Sequence, residues 1–157
     1  LLIEAMKEQQ EAVKEQQDQI EYLKSELIKL KENNLIVLSI AIGGAMGSLL
    51  RYYIGTVNFI SNSSFPLSTL IINATGSFLI GIFFFLLKDS NNEFLKSFLM
   101  IGFLGGFTTF STFSIEALDL FQKDQHLVSL IYIFGSIVTS LLSVYLGFCF
   151  TKIASLS

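Results

Sequence analysis

The chain carries one proline, one cysteine, one histidine and no tryptophan in 157 residues. A lone cysteine, Cys149, excludes a disulfide framework and a cysteine-based zinc site. A lone histidine, His126, excludes a multi-histidine metal centre and leaves a hydrolytic enzyme without a positioned base. Charged residues make up only 15% of the chain, with a net charge of −3 and no basic stripe, which is not the pattern of a nucleic-acid binder. What is abundant is apolar: 52% of the residues are hydrophobic, with 16 Phe and 11 Gly. That is too apolar for an ordinary water-facing domain and argues against disorder.

The charge is not spread evenly. Residues 1–34 hold 8 acids and 5 Lys, whereas residues 35–157 hold 5 acids, 4 Lys and Arg51 together with every Gly and every Phe. The first segment has heptad spacing: Met6, Val13, Ile20 and Leu27 recur every seven residues, and Leu2, Leu23 and Leu30 fill the companion seam positions. Gln9 and Gln16 fall in the same seam and make two of its layers polar. This predicts a coiled-coil-like helix over residues 1–34, serving as an oligomerisation or partner helix, as a solvated extension that pairs with nothing, or as an engineered appendage. The opening on Leu rather than Met fits the appendage. A signal peptide does not fit, because no apolar stretch of the needed length is present.

The second segment divides into four apolar runs: Leu35–Thr56, Pro66–Leu87, Leu95–Leu120 and Leu127–Phe150. Each is long enough for a helix to cross a hydrocarbon core about 30 Å thick, which takes ~20 residues. Short polar stretches separate them. Pro66 suits the first turn of the second helix, with Ser63 or Ser64 as its cap. The expected fold is all-α, a multi-pass membrane protein of four spans plus the N-terminal heptad helix. Lys88, Lys96 and Lys152 would share one membrane side against Lys123 on the other, a weak asymmetry that allows insertion in both orientations.

Polar groups inside the spans are the informative ones. The third span contains Gly105-Gly106-Phe107-Thr108-Thr109-Phe110-Ser111-Thr112-Phe113. Tandem Gly and a hydroxyl run weaken helix there, and a break would free backbone carbonyls that need partners inside the membrane. A seam of closely packed small residues is the alternative reading. Phe110 and Phe113, three apart, share a helix face; their electropositive ring edges can face an anion, though packing is the usual fate of such residues. Asn73 in the second span places a costly amide in the apolar layer, to donate to an anion or to tie two helices. Tyr132, Ser136 and Ser140 form a hydroxyl stripe along the fourth span, as an ion track or as helix–helix glue. Arg51 follows the Gly43 and Gly47 seam of the first span; it could draw anions to a vestibule or extend to lipid headgroups.

Three ordered motifs resemble the fluoride channel family called Fluc or CrcB: Gly43-Gly44-Ala45-Met46-Gly47-Ser48-Leu49-Leu50-Arg51-Tyr52, Asn73-Ala74-Thr75-Gly76-Ser77-Phe78-Leu79-Ile80-Gly81, and the run from Gly105 to Phe113. The resemblance covers nearly all of residues 35–157 and none of residues 1–34. It implies an antiparallel, dual-topology homodimer in the bacterial inner membrane that passively exports fluoride through two pores. It further implies that Asn73, Phe110, Phe113, Tyr132, Ser136 and Ser140 line the pathway and that Arg51 sits at its vestibule. The carbonyls of Gly105 and Thr108 would hold a structural sodium ion at the dimer centre. Partners would then be a second copy, membrane lipid, the fluoride ion, and whatever pairs with residues 1–34.

Two other readings share the span count. A proton-coupled multidrug exporter wants a carboxylate inside the first span, and none is there; Glu116, late in the third span, is the only acid near a span interior. A plain membrane anchor for the heptad helix would need neither Asn73 nor a broken third span.

Overall fold

The computed structural model describes residues 2–56 and 65–156. They form helices, and no strand occurs among the described residues. Helix α1 spans Leu2–Gly55 and α2 spans Leu67–Leu87. The third span begins with the short α3, Glu93–Lys96, capped by the Asn92 side chain, which accepts from the Leu95 amide at 2.9 Å. It continues as a π-helix over Ser97–Leu104, a single turn α4 at Gly105–Phe107, and then α5, Phe110–Gln122. Helix α6 covers His126–Ala154. Four of these helical stretches are long and apolar enough to cross a membrane: Leu2–Gly55, Leu67–Leu87, Glu93–Gln122 and His126–Ala154. The protein is an all-α, multi-pass membrane protein with a broken third helix.

Two compact units are distinguished along the chain, Leu1–Val37 and Leu38–Ser157. In the first, the described seam residues Met6, Val13, Ile20, Leu23, Leu27 and Leu30 are all exposed. In the second, large apolar side chains such as Ile131, Phe134, Leu141 and Tyr145 are also exposed. On membrane-crossing helices that is the expected inversion, because the surrounding lipid is as apolar as they are.

Ser63 and Ser64, the expected caps of the second span, lie outside the described residues. Pro66 takes the capping position itself rather than a place in the first turn. It offers no side-chain hydrogen bond, and its carbonyl accepts from the Leu70 amide at 3.3 Å. Between α5 and α6 the chain turns tightly through Asp124, whose φ of 59° is left-handed, while the Gln125 amide reaches back to the Leu120 carbonyl at 3.0 Å.

Backbone-to-backbone packing organises the membrane unit. A Cβ on Gly81 would strike the Val144 carbonyl of α6, and one on Gly147 would strike the Phe78 carbonyl of α2. The two helices therefore approach closely at both contacts because neither glycine has a side chain. Gly43 and Gly47 do the same for α1 against the π-helix, meeting the Phe98 and Phe103 carbonyls. Two apolar clusters fill what remains. Ile72, Leu104 and Phe107 form one; Phe113, Ala117, Leu120 and Tyr132 form the other, below the break in the third span.

At that break, Thr108 and Thr109 leave the helical conformation, with ψ of 158° and 121°. The chain restarts because the Thr109 hydroxyl accepts the Thr112 amide at 3.2 Å, an N-cap of the usual kind. Gly76 faces the break so closely that a Cβ there would overlap the Thr108 methyl.

The α2–α6 contact predicts an asymmetry between glycines. Gly81→Ala should destabilise the folded protein by about 1–3 kcal/mol, the usual cost of overpacking. Gly44→Ala, whose Cβ would meet only the Gly102 carbonyl at an ordinary 3.8 Å, should change stability little. Unfolding midpoints of the two variants in mixed micelles check this.

Candidate functional site

The break in the third span is held open by one side chain. Asn73 of α2 accepts the Thr109 amide on Oδ1 at 2.8 Å and donates from Nδ2 to the Thr109 carbonyl at 3.0 Å. Thr109 is buried, so its amide and carbonyl could not be left to water. The amide that would have continued the helical ladder to Gly105 is the Thr109 amide, and Asn73 has taken it. Of the two uses expected for Asn73, the helix tie is therefore made. One Nδ2 hydrogen serves Thr109 and a second remains.

Three cavities surround this break. The first, about 320 Å³, is lined by Asn73, Thr108, Thr109, Phe110, Phe113, Ser136, Ile137, Ser140 and Leu141. None of these side chains is charged. The Phe110 and Phe113 rings lie 5.4 Å apart at 45°, and Phe113 packs in turn on Tyr132 at 5.3 Å. Across from them, Ser136 Oγ is buried and makes no well-formed hydrogen bond, with the Tyr132 hydroxyl close by. That is unusual, since a hydroxyl on a membrane helix commonly bonds back to its own backbone. Thr139 and Thr151 do so here, to the Gly135 carbonyl at 2.7 Å and the Gly147 carbonyl at 2.9 Å. Phe110 is 77% exposed, whereas Phe113 is buried, so the subunit covers this wall on one side only.

A second cavity, about 500 Å³, lies on the other side of Thr109 and is lined among others by Ser48, Arg51, Thr69, Thr112 and Glu116. Here the charged groups gather. Arg51 Nη1 donates to the Thr108 carbonyl at 3.4 Å, so this guanidinium turns toward the break rather than away from it. Glu116 Oε1 accepts from the Thr69 hydroxyl at 2.8 Å and Oε2 from the Tyr132 hydroxyl at 2.7 Å. A third space of about 160 Å³ touches Gly76, Ser77, Gly105 and Thr108 and shares Asn73 with the first.

Asn73, Phe110, Phe113, Ser136 and Ser140 thus meet around one cavity. Tyr132 departs from the expected stripe. It is fully buried, does not line that cavity, and commits its hydroxyl proton to Glu116. Spacing of four along α6 placed it on the same face as Ser136, but its long side chain carries the hydroxyl toward α5. Arg51 sits apart from the aromatic wall, in the charged cavity. Glu116, Thr69 and Thr109 were not among the expected site residues. For Glu116 a signal existed: a lone acid inside an apolar span is seldom idle. Among the described residues, no group of three His, Cys, Asp or Glu could hold a metal.

Removing the Asn73 amide strands two buried backbone groups, each costing about 1–3 kcal/mol when unpaired. Asn73→Ala should therefore destabilise the protein by roughly 2–6 kcal/mol and strip hydrogen-exchange protection from the Thr109 amide. Protection there at the wild-type level would show that the break is held by something else.

Residues 38–148 match the family model described as CrcB-like protein, Camphor Resistance (CrcB). A protein of Thermus thermophilus named fluoride-specific ion channel FluC is 47% identical over 113 residues, covering 71% of this chain and 89% of its own length. One of Ruminiclostridium cellulolyticum with the same name is 46% identical over 114 residues, covering 71% and 88%. A third, from Saccharophagus degradans, is 38% identical over 120 residues, covering 75% and 90%. All three names describe an ion channel and none an enzyme. With the match running through all four spans and the break in the third, the chain belongs to the CrcB-like family.

Proposed function

We propose that this protein is a passive, fluoride-selective channel that exports fluoride from the bacterial cytoplasm across the inner membrane. The observation that carries this reading is the uncharged 320 Å³ cavity with the Ser136 hydroxyl, which makes no well-formed hydrogen bond, in its wall. Fluoride is small and strongly hydrated, and removing that water is costly unless other donors replace it. The Ser136 and Ser140 hydroxyls and the second Asn73 Nδ2 hydrogen are such donors. The edges of Phe110 and Phe113 add an electropositive surface that carries no full charge. A pathway of this kind binds an anion without trapping it, which conduction requires. Arg51 and Glu116 stand outside that wall, where Arg51 raises the local anion concentration at the mouth. Tyr132 contributes by packing Phe113 and fixing Glu116 rather than by lining the pathway.

The working unit is an inverted homodimer with two pathways. Phe110 supports this: a pore side chain that is 77% exposed in one subunit needs a second copy to enclose it. Gly105 and Thr108 suit a structural sodium ion by donor type, since both present neutral backbone oxygens beside a helix break. The Thr108 carbonyl retains a second lone pair beside its contact with Arg51. Such an ion would supply positive charge at the junction of two broken helices.

Liposomes containing the purified chain should release fluoride and retain chloride. Phe110→Ile and Phe113→Ile keep an apolar side chain but lose the ring edge. Each should slow fluoride release by about tenfold or more, about 1.4 kcal/mol on the barrier, with assembly retained. Wild-type rates in both variants would reduce the rings to packing. Residues 35–157 alone should conduct as the full chain does.

A further inference from the structure

The family match begins at residue 38, so it leaves the heptad helix unexplained. Its seam is open along its length: Val13, Ile20, Leu23, Leu27 and Leu30 are each more than half exposed. With Met6, Val13, Ile20 and Leu27 at position a, position d holds Leu2, Gln9, Gln16, Leu23 and Leu30. β-Branched residues at a with Leu at d favour two parallel strands, a pattern that Val13 and Ile20 at a and Leu2, Leu23 and Leu30 at d meet in part.

The polar and charged positions narrow the choice of occupant. Glu26 is at g and Lys31 at the following e. In a parallel pair those positions face each other across the seam, giving two symmetric ion pairs. In an antiparallel pair centred on itself, Glu26 would instead face Ala12, and Gln9 and Gln16 would be set against Leu27 and Ile20. A parallel pair shifted by one heptad would press Gln16 against Leu23. Only the parallel, in-register arrangement stacks Gln9 on Gln9 and Gln16 on Gln16, where each amide can bond its equivalent.

We propose that residues 2–34 pair with the same segment of a second copy as a parallel, in-register two-stranded coil that links neighbouring channels. The link between channels rests on the inverted-dimer reading above. Subunits of opposite orientation carry their heptad helices to opposite membrane faces, and about 30 Å of hydrocarbon lies between them. The partner strand therefore comes from another channel.

Disulfide trapping in the full-length protein tests this, with Cys149→Ser as background. Gln16→Cys, in the seam, should oxidise to linked subunit pairs, and Asp18→Cys, on the outer face, should not. Light scattering of the linked Gln16→Cys particle should give at least twice the mass of one channel dimer, because each inverted dimer carries two heptad helices. Glu26→Lys or Lys31→Glu alone should lower the linked fraction, and the two together should restore it. Glu26 also pairs with Lys29 of its own helix at 3.0 Å, but that contact cannot be rescued by a change at Lys31, so rescue reports the pair across the seam. Linkage of Gln16→Cys only to chains carrying Ile20→Cys would mean antiparallel strands and overturn the proposal, as would no linkage at any seam position. Linked pairs with the mass of a single dimer would overturn the bridge between channels and the inverted arrangement together, leaving the parallel coil. Fluoride release by Gln16→Cys should match the background protein; its absence in that background protein would count against the channel reading and not against the coil.

Discussion

Two residues of backbone leave the helix inside an apolar layer, and the amide of Asn73 makes this tolerable. In hydrocarbon there is no water to take up a freed amide or carbonyl, and each one left alone costs several kcal/mol. Asn73 carries an acceptor and a donor on one rigid plane, the same pair that a peptide group presents, and both meet Thr109. The remaining architecture follows from this clasp. α2 must stand beside the third span for Asn73 to reach, and Gly76 must lack a side chain for Thr108 to fit. Thr109 must then cap the restarted helix, which turns Phe110 and Phe113 toward α6.

The break also separates charge from the uncharged wall. Thr109 borders both larger cavities, with Arg51 and Glu116 on one side and only neutral groups on the other. Both charged residues are tied down: Arg51 to the Thr108 carbonyl, Glu116 to two hydroxyls. A full positive charge within the proposed pathway would bind an anion too firmly to release it; one at its mouth attracts without holding. In the proposed pathway the aromatic rings and serine hydroxyls would act where the ion is most exposed to desolvation.

Glycine sets the scale on which this is possible. The contacts of Gly81 with Val144, Gly147 with Phe78, and Gly43 and Gly47 with the π-helix bring backbones to distances that any side chain would forbid. Packing this close leaves the two buried clusters small and much of the aromatic surface outward. A subunit built in this way has little interior of its own. The proposed second copy would supply the enclosure for Phe110 that one subunit lacks.

The four spans were legible in the sequence because a membrane demands ~20 apolar residues in a row, a one-dimensional requirement. The weakness at Gly105-Gly106 and Thr108-Thr109 was legible for a similar reason, since helix propensity is local. So was the shared face of Phe110 and Phe113, fixed by the helical repeat. Tertiary structure decided the rest, because the partners are distant along the chain. Asn73 and Thr109 are 36 residues apart, and Arg51 and Thr108 are 57 apart. No local pattern says that the amide will bond the broken backbone or that the guanidinium will turn inward. Helical spacing put Tyr132 in line with Ser136 and Ser140, yet a tyrosine hydroxyl stands far from its own backbone. Only the position of Glu116 on α5, brought against α6 by packing, determined where that hydroxyl would go.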